Sequence, residues 1–154
     1  MVINRSSPHF ALYDWWSMGM GLGLIRPSGT MGTLLGIPVF ILAHASGSFG
    51  CLTMLIIVTM ASWYACCRTY QKLGHQDHPC IVSDEVVGMI WTLYAIPISV
   101  SSVCMGFALF RCLDIFKPWP INAIDSAKTL RAHGVMLDDL IAGLIANACM
   151  HLIY

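Results

Sequence analysis

Three stretches of this chain carry no Asp, Glu, Lys or Arg: residues 27–67, 86–110 and 140–154. Little within them alternates with period two, so helices are expected rather than strands. Ser46, Gly47 and Ser48 interrupt the first stretch near its middle and predict a helical hairpin with arms over about 31–45 and 49–67. The second arm has the roughly 20 residues that a bilayer-spanning helix needs, whereas the first is short. Pro97 predicts a kink or break in the second stretch. The third stretch, fifteen residues long, is too short to promise a crossing by itself.

The intervening polar segments, 1–26, 68–85 and 111–139, each contain Lys or Arg, the last one four of them. By the positive-inside rule all three prefer the cytoplasmic side. A single crossing by 86–110 would separate the second segment from the third. That run is therefore expected to be broken or re-entrant, or to pack as a core hairpin without spanning.

Composition turns this pattern into a membrane reading. The 154 residues suit one domain, residues 1–154, and are 57% hydrophobic with 10% charged. A soluble domain averages about 25% charged. The formal net charge is zero and the cations lie in three separate segments, so a nucleic-acid partner is not expected. None of the seven cysteines forms a CxxC pair and several lie in apolar runs, so all are expected to be reduced, buried small hydrophobes. The first thirty residues show no signal-peptide pattern, and no repeat or protein-partner motif is evident. A compact all-α, membrane-associated domain is predicted.

Charge concentrates in one place. Between residues 111 and 139 lie Arg111, Asp114, Lys117, Asp125, Lys128, Arg131, Asp138 and Asp139, half of the sixteen charges in the chain. Two acidic pairs stand at the starts of apolar runs, Asp84–Glu85 after Ser83 and Asp138–Asp139 before Leu140. Carboxylates in a first turn complement the helix dipole, and Ser83 could cap its helix. Adjacent carboxylates at a membrane boundary nevertheless repel, and need a cation. Such hard oxygen ligands suit Mg²⁺, which commonly bridges to a substrate phosphate.

Between the pairs runs FRCLDIFKPWPI, residues 110–121. Arg111 and Asp114 would share a helix face, while Pro118 should leave Lys117 at a helix end, free to reach a ligand. Trp119 between two prolines suits a membrane interface. A snorkelling linker is the plain alternative; a bidentate Arg and a point-charge Lys on phosphate is the functional one. Glycines 19, 21, 23, 29 and 32 lead into a helix near Thr30. They could cradle a phosphate on backbone N–H groups, or simply allow turns and packing. His75 and His78 flank Asp77 without matching a zinc spacing, and His44 and His151 read as satisfied core residues.

Four motifs in order, GLGL with SGTMGT, IVSDEVVGM at 81–89, FRCLDIFKPWPI at 110–121 and GVMLDDLIAG at 134–143, resemble the phosphatidylglycerophosphatase A family of bacterial lipid phosphatases. The likeness runs from about Gly21 to Gly143. Ser28 stands where that family usually has Pro, Arg131 and Ala132 replace a glycine pair, and Ser83 replaces an aromatic; every acidic motif position is kept. The resemblance implies an all-helical fold in the bacterial inner membrane with a cytoplasm-facing site. It also implies Mg²⁺-dependent hydrolysis of phosphatidylglycerol phosphate, a phospholipid substrate.

On this reading Asp84, Glu85, Asp138 and Asp139 gather the metal, and Asp84, Asp114 and Asp139 serve catalysis. Arg111, Lys117 and Thr30 hold the phosphate. Three rivals stand beside it: a different lipid substrate such as phosphatidic acid, a phosphohistidine enzyme suggested by RPSGT at 26–30 but lacking its histidine, and a non-catalytic membrane protein whose acidic pairs are helix caps.

Overall fold

The computed structural model describes residues 10–74, 78–127 and 129–154, and among these it is helical with no strand. The helices are α1 (Leu12–Ser17), α2 (Ser28–His44), α3 (Gly47–Lys72), α4 (Ser83–Thr92), α5 (Val100–Phe116), α6 (Ile121–Asp125) and α7 (Ala132–Ile153), with a 3-10 segment at Gly19–Leu24 between α1 and α2. The expected hairpin is α2–α3, turning at Ala45 and Ser46. The expected break is also present: 86–110 divides into α4 and α5, and the residues between them include Pro97.

The centre of the bundle is α4. Only Glu85 and Trp91 of its ten residues escape full burial, and its neighbours are α7, α2, α3 and α5. Glycine makes the tightest crossing possible. A Cβ on Gly143 would strike the Gly88 carbonyl and one on Gly88 would crowd the Asp139 carbonyl, so α4 and α7 touch backbone to backbone, while the Phe110 ring of α5 packs on Gly88 from another side. Phe40, Leu55, Met89, Ile90, Leu93, Phe110 and Ala146 fill the core around this crossing.

Because α4 stops inside the bundle, its last carbonyls need partners in an apolar setting. Asn147 of α7 serves the final one, its Nδ2 donating to Thr92 O at 3.0 Å and to Tyr94 O in the following turn at 2.7 Å, while Leu93 N and Tyr94 N donate to Met89 O and Trp91 O. The chain then returns along α5, which opens on a reciprocal Ser99–Ser102 capping box and ends at Lys117 in a left-handed conformation, φ 42°. The reversal brings the start of α4 and the end of α5 to the same end of the molecule. The positional conflict between segments 68–85 and 111–139 is thereby removed.

Two helices, α3 with 26 residues and α7 with 22, are long and apolar enough to cross a membrane. At 1.5 Å per residue they reach roughly 39 and 33 Å. The last stretch thus spans more than its fifteen uncharged residues suggested, because Asp138 and Asp139 lie inside α7, beyond its first turn. Large apolar side chains face outward along the bundle, among them Phe49, Ile57, Met60, Val100 and Leu152. Among the described residues every charge sits toward the opposite end from Ala45–Ser46 and Pro97. Buried Asp14 fastens α1 there, accepting from Lys72 Nζ at 2.6 Å and Thr69 Oγ1 at 3.1 Å.

Several side-chain expectations change. Ser83 does not cap α4: it lies inside the first turn, and its buried hydroxyl has no hydrogen-bond partner. The entry to α4 is pinned instead by Val82 N donating to Ser17 O at 2.9 Å. His44 and His151 are exposed rather than core, since both fall near the ends of their helices. All seven cysteines are free as expected, but only Cys51, Cys66 and Cys80 are buried; Cys104 and Cys112 lie on the outward face of α5.

Candidate active site

At the charged end the first turn of α4, the last turn of α5 and the second turn of α7 enclose a polar cavity of about 160 Å³. Asp84, Glu85, Asp114, Lys117, Asp138 and Asp139 line it, together with Ser28, His78 and Pro79. Both acidic pairs thus reach one site, though fifty-odd residues of chain separate them. Asp84, Glu85 and Asp139 approach most closely, each offering a carboxylate oxygen within 4.8 Å of the others.

Burial sets the electrostatics. Asp84 and Asp139 are 7% and 4% exposed, so their mutual repulsion is poorly screened. Glu85 is pushed up from 4.5 to about 8, first by burial and further by the Asp139 and Asp114 charges, with a hydrogen bond to Asp84 opposing. Its Oε2 is buried without a hydrogen-bond partner. An orphaned carboxylate oxygen beside two more buried carboxylates is a donor set that suits a hard divalent cation, so these residues fit a metal such as Mg²⁺.

The cations of the site are already engaged. Arg111 Nη1 donates to Asp114 Oδ2 at 2.5 Å, the i,i+3 pairing expected on one helix face, and to Thr33 Oγ1 at 3.5 Å. Lys117 Nζ bridges Asp138 Oδ2 at 2.6 Å and Asp125 Oδ1 at 2.5 Å. Burial alone would lower the Lys117 pKa, but these two carboxylates outweigh it and hold the ammonium above its ordinary range. The left-handed backbone at Lys117 turns the chain out of α5 at this point. Asp138 is thereby committed to Lys117, while its Oδ1 accepts from the Asp139 backbone N–H at 3.0 Å.

Sequence-predicted residues therefore divide. Asp84, Glu85, Asp114, Lys117, Asp138 and Asp139 meet in the cavity, with Arg111 behind Asp114. Thr30 does not line it; Ser28 forms the wall from that turn, and Thr33 is what meets Arg111. The glycines before α2 act by packing, Gly23 against the Cys80 carbonyl and Gly32 against Val82, which seats α2 on α4. Close by, Gly29 leaves room for the Arg111 guanidinium and Glu85 Oε1, which a Cβ would meet at 3.0 and 2.8 Å. Of the histidine group, His75 and Asp77 fall outside the described residues. His78 was missed as a wall residue: its Nδ1 meets Cys80 Sγ at 3.0 Å and accepts from Cys80 N at 3.3 Å. Its place just ahead of the IVSDE motif was the available signal.

Comparison with known proteins identifies the family. The family described as Phosphatidylglycerophosphatase A matches residues 15–154. A protein of that name from Escherichia coli K12 is 36% identical over 137 residues, 88% of this chain and 78% of its own length. Another from Haemophilus influenzae is 39% identical over 133 residues, 84% of this chain and 81% of its own. A relative from Bacteroides thetaiotaomicron, provisionally named a phosphatidylinositol-3-phosphatase, is 31% identical over 134 residues, 82% of each chain. No solved structure matches the chain.

Proposed function

Since the chain belongs to the phosphatidylglycerophosphatase A family and is a phosphatase, we propose that it removes the terminal phosphate of phosphatidylglycerol phosphate in a Mg²⁺-dependent reaction that yields phosphatidylglycerol. The observation that carries the metal assignment is the grouping of Asp84, Glu85 and Asp139, with Glu85 Oε2 left unpartnered. Those three would hold the ion. When bound it would supply a Lewis acid for the phosphate oxygens and a water of lowered pKa.

The chain's own residues divide the remaining work. Asp138 and Asp125 hold Lys117 Nζ at the cavity, where its fixed positive charge attracts the phosphate. Asp114, held in place by Arg111, is placed to accept a proton from the attacking water or to help bind the ion. Arg111 itself faces Thr33 and the Gly29 turn, where its remaining N–H groups are available to a phosphate oxygen. Balanced over the reaction, water adds to phosphorus, the ester P–O bond breaks, and the leaving glycerol oxygen takes a proton.

Sidedness follows from charge. With apolar α3 and α7 in a bacterial inner membrane and the described Lys and Arg at one end, the positive-inside rule favours a cavity on the cytoplasmic side. Exposed Phe116 and Trp119 beside Lys117 suit the interfacial layer in which a lipid headgroup lies. The test is phosphate release by the purified protein from phosphatidylglycerol phosphate, with and without a chelator. Release that stops on chelation and returns with Mg²⁺ is expected; no release with Mg²⁺ present would overturn the reading.

A further inference from the structure

We infer that Arg26 is a specificity-determining residue that binds the second phosphate of the substrate, the phosphodiester joining the glycerol headgroup to the diacylglycerol. The inference rests on the phosphatidylglycerol phosphate reading and names a subsite for that lipid.

The acidic cavity, at about 160 Å³, can take the terminal phosphate but not a whole diacyl lipid. Whatever the monoester is attached to must leave along a wall. One wall leads out. Ser28, His78 and Pro79 are shared between the acidic cavity and an adjoining groove of about 320 Å³, whose further lining includes Gly23, Leu24 and Arg26. Arg26 also borders the wider recess at Pro27, Ser28 and Gly29. A headgroup with its terminal phosphate at Asp84, Glu85 and Asp139 would run its glycerol past Ser28 and bring its diester to Arg26.

Arg26 combines a place on this route with the lack of a carboxylate partner among the described residues; Arg131, exposed and likewise outside the ion pairs, lines neither the cavity nor the groove. Arg111 is held by Asp114, Lys117 by Asp125 and Asp138, and Lys72 by Asp14, while Arg68 stacks over the Tyr13 ring. Arg26 is exposed, and among the described residues no carboxylate pairs with it. A guanidinium offers two parallel N–H groups to two oxygens of one phosphate, a geometry that an anionic diester satisfies and an uncharged ester does not. Exposed Leu24 and Ile25 beside it give the acyl-bearing side of the lipid an apolar surface. A lipid with only a terminal monoester, such as phosphatidic acid, would reach the acidic cavity without using Arg26.

The experiment uses the full chain as wild type, Arg26→Gln and Arg26→Lys, in neutral detergent micelles. Turnover of phosphatidylglycerol phosphate is measured, with phosphatidic acid added as a competitor so that its binding is read whether or not it is hydrolysed. In Arg26→Gln the KM for phosphatidylglycerol phosphate is expected to rise about tenfold or more, the size of one charge-assisted contact. The inhibition constant of phosphatidic acid should stay within about twofold, and Arg26→Lys should recover part of the loss. A parallel rise for both lipids would mean general attraction to anionic surfaces or structural damage and would overturn the inference, as would no change for either. Failure of the wild type to hydrolyse phosphatidylglycerol phosphate is a separate result, which would sink the substrate assignment itself.

Discussion

Asp139 carries the heaviest demands of any residue here: buried, next to Asp84 and Glu85, and on a different helix from both. Asp139→Asn keeps the shape and removes the charge. Since loss of an outer-shell partner alone lowers metal affinity or activity about 10–100-fold, this change should reduce kcat/KM by at least about a hundredfold. It should leave folding intact, or even stabilise the metal-free protein by relieving repulsion. Both effects are read from phosphate release beside a thermal melt in detergent. Glu85 adds a pH signature. Its folded pKa of about 8 lies above the ordinary 4.5, so in that window the folded state keeps a proton that the unfolded chain has lost. Stability of the chelated protein should therefore fall as pH rises from about 4.5 to about 8, and Glu85→Gln should flatten that slope in melts recorded across the range. The acidic residues were legible in the sequence because two adjacent carboxylates at the edge of an apolar run need a physical reason. Their division of labour was not. Asp138 and Asp139 look alike as a pair, yet helical spacing turns one toward Lys117 and the other toward Asp84 and Glu85.

At the scale of elements, the short buried helix α4 holds the site in place, and its two ends are secured differently. Its start is set by Val82 N on Ser17 O, its finish by Asn147. Replacing Asn147 by Leu should leave the Thr92 and Tyr94 carbonyls without that donor in an apolar setting, costing about 1–3 kcal/mol per group left unsatisfied. Thermal unfolding would report the loss. Activity at low temperature should survive, because α4's first turn is held separately. Gly88→Ala has the opposite character: its Cβ would enter the Phe110 ring, shifting α5 and with it Arg111, Asp114 and Lys117. Overpacking of this kind typically costs about 1–3 kcal/mol, and here kcat should fall alongside stability. The break at 93–99 was legible from Pro97 and from the distribution of positive charge. Asn147 was not, because one amide in an apolar run acquires meaning only when the facing helix end is known. The long reach of α7 was missed for a related reason: the acidic pair looked like a helix start, but the helix begins six residues earlier.

Seen whole, the molecule is polarised along its axis, with every described charge at one end and an apolar surface along the rest. The chain crosses back at 93–99 instead of passing through, which is what lets segments 68–85 and 111–139 build one site. If the charged end faces the cytoplasm, a lone cysteine introduced at Ser126 in a cysteine-free background should react with an impermeant thiol reagent only after the inner membrane is opened. One introduced at Ser48 should show the opposite pattern or no reaction. The most direct test of the metal-site assignment is phosphate release from phosphatidylglycerol phosphate as Mg²⁺ is titrated into chelator-treated wild type, Asp84→Asn, Glu85→Gln and Asp139→Asn. Saturable activation of the wild type is expected, with activation lost or moved to much higher Mg²⁺ in each folded variant. Full release by the chelated wild type, or wild-type activation in all three variants, would contradict it.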